Sequence, residues 1–85
     1  MAPISLSELA RRRLRAAEER ANALKSYEAV RLTLARKQID TDADPAAIYA
    51  LADYEEAQAR FEVARREHGI AIAADLKARE QGQST

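Results

Sequence analysis

Side chains able to do bond-making chemistry are few in this chain, and they do not converge. His68 is the only histidine. Three residues before it stands Arg65, so the Glu-x-x-His pairing used by di-iron helical bundles is missing. Asp53, Glu55 and Glu56 bring three carboxylates close together in sequence, but helical geometry scatters them around the axis. Cysteine is absent, which excludes disulfides and thiolate metal sites. Neither a glycine-rich phosphate loop nor a usable Ser-His-Asp set appears. The reading is a non-enzyme, with no catalytic, cofactor-binding or metal-ligating residue and no small-molecule ligand.

Charge is the stronger signal. Arg11, Arg12, Arg13 and Arg15 form a basic cluster near the N-terminus. Cations at a helix start oppose the macrodipole, so the cluster does not serve helix stability. Glu8 can pair with Arg11 or Arg12, and Arg15 with Glu18 or Glu19. One reading is a solvated, partly paired face. The other is contact with phosphate or an acidic protein. Net neutrality, a pI near 6.6 and the lack of an adjacent aromatic for base stacking weigh against a dedicated nucleic-acid binder. The charge is also unevenly divided. Residues 1–40 hold nine Lys/Arg and five Asp/Glu, a net of +4, and residues 41–85 hold five and nine, a net of −4.

These 85 residues allow one small domain, and a chain this short struggles to stabilise itself by burial alone. Without disulfides or metal, association is the remaining reinforcement. At 47% hydrophobic and 33% charged, with two glycines and two prolines, the composition suits long helices and is too apolar for disorder. No apolar run reaches the length of a membrane span. The first residues lack the basic-then-apolar order of a signal peptide, so a cytoplasmic location is expected.

Stop and start signals then place the elements. Ser5 and Glu8 form a capping box, flanked by an Ile4–Leu9 hydrophobic staple. Nothing breaks the pattern until residues 40–45, where three aspartates precede Pro45. Asp44 can cap a second helix and Pro45 suits its first position. The spacing predicts helix 1 over about 5–40, a turn at 41–44, helix 2 over about 45–80, and a frayed tail at 81–85. Gly69 is read as tolerated inside a continuous helix, at a cost near 1 kcal/mol. The fold class is all-α: an antiparallel two-helix hairpin, a long α-helical coiled coil.

Each helix carries two apolar stripes. In the second half of the chain, Ala43, Ala50, Ala57, Ala64, Ala71 and Ala78 recur every seventh residue. Tyr54, Phe61 and His68 alternate with them. That small-and-large order marks a close helix–helix seam. His68 reads as a packed ring of this seam, with a pH-sensitive interface as the alternative. The second stripe of helix 2 is Ile48, Ala52, Ala59, Val63, Ile70 and Ala74, nearly opposite the first. Helix 1 carries Leu6, Ala10, Leu14, Ala17, Ala21, Leu24, Leu32, Ala35 and Ile39 on one side. On another it carries Leu9, Ala16, Ala23, Tyr27, Val30 and Leu34. Arg13, Arg20 and Arg31 lie between the two, with stems able to cover apolar surface. Tyr49 is open between an exposed hot spot and a layer near the turn.

A lone hairpin gives each helix one neighbour, whereas two stripes ask for two. The expected protein interface is therefore the second stripe of helix 2 together with Leu9, Tyr27, Val30 and Leu34. The expected partner is a copy of the chain, a larger protein or both. Two hairpins would close as a four-helix bundle. Its acidic bisecting turn and alanine heptads give the chain an architecture similar to the RNA-binding plasmid-copy regulators, helical-hairpin dimers with alternating small and large core layers. That resemblance implies a dimer and, through the basic cluster, a nucleic-acid partner. The reading of function is a non-enzymatic interaction module of the adaptor, chaperone or inhibitor type, as in small bacterial or phage accessory proteins. The alternative is a small dimeric nucleic-acid-binding regulator.

Overall fold

The computed structural model describes residues 4–83. It consists of two helices, α1 (Leu6–Arg36) and α2 (Pro45–Gln83), folded back on each other as an all-α hairpin. The molecule measures 68 × 24 × 15 Å. Its radius of gyration is 19.3 Å, where a compact chain of this length would have about 12 Å.

The start of α1 is capped on one side of the expected box. Ser5 Oγ accepts a hydrogen bond from the Glu8 amide at 3.2 Å. The Glu8 carboxylate turns instead to Arg11 and Arg12, 3.6 Å from each guanidinium. Ile4, the outer half of the staple, stays half exposed.

α1 ends at Arg36, short of the expected Asp40. The stop is a Schellman motif. The Ile39 amide donates to the Leu34 carbonyl at 2.9 Å and the Gln38 amide to the Ala35 carbonyl at 3.1 Å. Gln38 sits in the left-handed region, φ 59°, a conformation that favours glycine. The aspartates then shape the turn. Asp40 Oδ1 accepts from the Asp42 amide at 2.9 Å, and the Asp40 carbonyl from the Ala43 amide at 3.3 Å. Asp44 caps α2, its Oδ1 accepting from the Ala46 amide at 2.9 Å, and Pro45 fills the first helical position. α2 passes through Gly69 without a break and is helical to Gln83, beyond the expected end near residue 80. Residues 84 and 85 lie outside the described residues.

The seam has one register along its length. Arg13 meets His68, and seven residues on in α1 and seven back in α2, Arg20 meets Phe61. The same steps set Tyr27 level with Tyr54 and Leu34 level with Ala47. A parallel row sets Ala16 and Ala23 among Ala64 and Ala57. The α2 side of the seam is the alanine heptad with its interleaved rings: Ala47 and Ala57 are buried, and Ala50, Tyr54, Phe61, Ala64, His68 and Ala71 are half-buried. Opposing alanines let two helices approach closely, and the guanidinium groups of Arg13 and Arg20 meet the His68 and Phe61 rings between them.

This seam is thin. The buried apolar residues are Leu9, Ala16, Leu34, Ala47 and Ala57, three of them alanines. Because α2 has 39 residues and α1 has 31, the end of α2 runs past the start of α1. From Leu76 onward the described side chains are exposed.

Candidate protein-docking faces

What the hairpin leaves outside is more apolar than what it encloses. Eleven large hydrophobic side chains among the described residues are exposed. On α2 they include Ile48, Val63 and Ile70, and Ala52, Ala59 and Ala74 of the same stripe are exposed with them. This row runs along the side of α2 turned away from α1. Val63, at 51% exposure, and Ala59 form the floor of an open groove of about 430 Å³. Arg12, Glu56, Arg60 and Glu67 rim it.

On α1 the structure reverses the expected assignment. Leu9 and Leu34 are buried at 8% and 7%, and Tyr27 and Val30 are half-buried, all on the side that packs against α2. They belong to the seam, and Val30 and Leu34 also line a shallow groove at its edge. The outward stripe of α1 is the other one: Ala10, Leu14, Ala21, Leu32 and Ala35 are exposed, and Ile39 continues the row beyond the helix end. Ala17 and Leu24 lie half-buried at its edge. The outer α1 stripe holds the more apolar residues, nine against six, so counting them pointed to the wrong side.

The seam rim is polar. The Arg20 guanidinium lies 4.0 Å from the centroid of the Phe61 ring, and its Nη1 donates to Gln58 Oε1 at 3.4 Å. Gln58 Nε2 donates to Glu62 Oε1 at 3.1 Å, and Glu62 pairs with Arg65 at 3.2 Å. Arg13 Nη1 lies 3.5 Å from His68 Nδ1. An arginine N–H can only donate, so the acceptor in this contact is His68 Nδ1. His68 is a half-buried ring of the seam with one nitrogen engaged. Arg13 is thereby drawn out of the basic cluster, leaving Arg11, Arg12 and Arg15 exposed, the first two shared with Glu8.

Every ion pair among the described residues runs within one helix: Arg11 and Arg12 with Glu8, Arg60 with Glu56, Arg65 with Glu62, and Arg79 with Asp75. The polar side-chain contacts across the seam, from Arg13 to His68 and from Arg20 to Gln58, end on side chains without a carboxylate. No group of three or more His, Asp or Glu side chains able to hold a metal occurs among the described residues. Nor is any helix among them long and apolar enough to cross a membrane.

No family model matches this chain, and no curated protein or solved structure matches it either.

Proposed function

We propose that the chain is a non-enzymatic interaction module, of the adaptor, chaperone or inhibitor type, whose outward helix faces engage a protein. A cytoplasmic setting is part of the same proposal. The observation that carries it is the inverted placement of apolar bulk: eleven large hydrophobic side chains outside, against five buried residues of which three are alanine. The accessible area of 6766 Å² supports it, since a compact monomer of 9.4 kDa would expose about 5,000 Å². That excess is about twice the roughly 800 Å² that one partner contributes to a standard protein interface. Covering a large aliphatic side chain is worth about 1.5–3 kcal/mol, and Leu14, Leu32, Ile48, Val63 and Ile70 each keep roughly half of that unrealised.

The test is a paired substitution on the outer stripes, Leu14→Arg with Val63→Arg. The helical circular dichroism should be kept, because neither residue lies in the seam, while capture of protein from the native host is lost. Unchanged capture would sink the reading. The nucleic-acid alternative has weaker support, because Glu8 partly neutralises Arg11 and Arg12 and Arg13 turns to His68. Gel shift at two salt concentrations addresses it: Arg11, Arg12 and Arg15 changed to Glu should leave any nucleic-acid binding and its salt slope unaltered.

A further inference from the structure

Charge asks a question of the two outer stripes that apolarity does not. The halves carry +4 and −4, yet no ion pair among the described residues crosses between α1 and α2. Direct pairing inside the hairpin therefore leaves this asymmetry unused, and it persists on the outside. Around the axis of α1, the stripe of Leu14, Ala21 and Leu32 is flanked by Arg11, Lys25 and Arg36 on one side and by Arg31 on the other, with Glu18 and Glu28 as its acidic members. All of these charged residues are exposed. Around the axis of α2, the stripe of Ile48, Ala59, Val63 and Ile70 is flanked by Glu55 and Glu62 on one side and by Glu56 and Glu67 on the other, against Arg60, Arg66 and, reaching over from α1, Arg12. Both rims are mixed, with a basic surplus around the α1 stripe and an acidic surplus around the α2 stripe.

Resting on the reading of the outer faces as docking faces, we propose that the occupant is a second copy of this chain, with the α1 stripe of one copy packed on the α2 stripe of the next. Pairing α1 with α1, or α2 with α2, would bring like-charged rims together, a repulsion that selects against wrong pairings. Pairing α1 with α2 brings opposite rims together around an apolar strip. The geometry also sets the type of assembly. The α2 stripe lies nearly opposite the seam and the α1 stripe roughly 120° from it, at about 100° per residue. The two complementary faces therefore occupy different long edges of the hairpin. A contact that joins one edge to a different edge is heterologous: it adds copies side by side, as a row or a closed ring, and differs from the two-fold four-helix bundle.

The experiment is light scattering on the full chain over a range of concentrations, with circular dichroism to confirm folding. Lys25→Glu with Arg31→Glu makes both edges acidic, and Glu55→Lys with Glu67→Lys makes both basic. The wild-type mass should rise with concentration and fall back at high salt. Each double variant alone should lose association by about tenfold or more, and an equimolar mixture should regain it. A variant of the same net charge altered away from the stripe, Arg15→Glu with Lys37→Glu, should associate like the wild type. Wild-type behaviour of either edge variant, or a mixture no heavier than its components, overturns the proposal, as does loss of association in the off-stripe control. A wild type that stays monomeric throughout also overturns it. If that monomer still captures a host protein in a manner abolished by Val63→Arg, the docking-face reading survives without self-docking. If it captures nothing, both fall.

Discussion

At the scale of single residues, two backbone positions hold stability in reserve. Gln38 occupies a left-handed conformation that costs a non-glycine residue about 1 kcal/mol. Gln38→Gly should raise the midpoint of thermal unfolding, by several degrees for a domain of this size. Gly69 lies exposed within α2, and a Cβ placed there would meet nothing within 4 Å. Gly69→Ala should therefore stabilise by about 0.5–1 kcal/mol, measured by denaturant unfolding. If it destabilises, the helix is not continuous at this point. The contact between Arg20 and Phe61 is of another kind, since the cation is half-buried over the ring face. A double-mutant cycle with Arg20→Met and Phe61→Leu should return a coupling of about 0.5–1 kcal/mol. A coupling of zero would mean that the arginine serves only as an apolar stem.

At the scale of the helices, the sharpest test is which stripe of α1 faces α2. Leu34 and Leu32 are two residues apart, one buried and one exposed. Leu34→Ala should cost about 2–3 kcal/mol, and Leu32→Ala should lie within about 0.5 kcal/mol of wild type when the protein is dilute. On α2, Ala57→Leu should overpack the seam by about 1–3 kcal/mol, while Ala78→Leu, beyond the start of α1, should be mild. These cases also mark what the sequence could and could not tell. The hairpin, the Asp44–Pro45 start of α2 and the alanine-and-ring seam were legible, because caps and seven-residue spacing are local signals. The end of α1 was not, because glutamine is an uncommon residue at a left-handed cap and the aspartates nearby read as the stop. The inward stripe of α1 was not legible either. Leu14, Leu24 and Leu32 made the outer stripe look the more core-like, yet close approach of two helices favours Ala16 and Ala23, which take up less room.

At the scale of the whole molecule, a seam with only five buried residues gives the lone hairpin little core to draw on. Small domains of this length sit close to the margin when alone. With the proposed self-docking, the unfolding midpoint should rise with protein concentration, because association draws on the folded state. A midpoint that stays constant over a hundredfold dilution, about the range calorimetry and fluorescence together span, would show that the seam suffices on its own.

The shared seven-residue step of the two helices has a consequence for how the arms align. Moving α2 along α1 by one heptad would bring Arg13 to Phe61 and Arg20 to Tyr54, again placing an arginine stem against an aromatic ring. The seam thus nearly repeats itself under a slip of about 10 Å, seven residues of helical rise. What forbids the slip is the short connection, where the Schellman stop at Gln38 and the Asp44 cap leave no slack. Inserting seven flexible residues at position 42 should release a second alignment. Spin labels at positions 18 and 66 would report it as two distance populations in place of one.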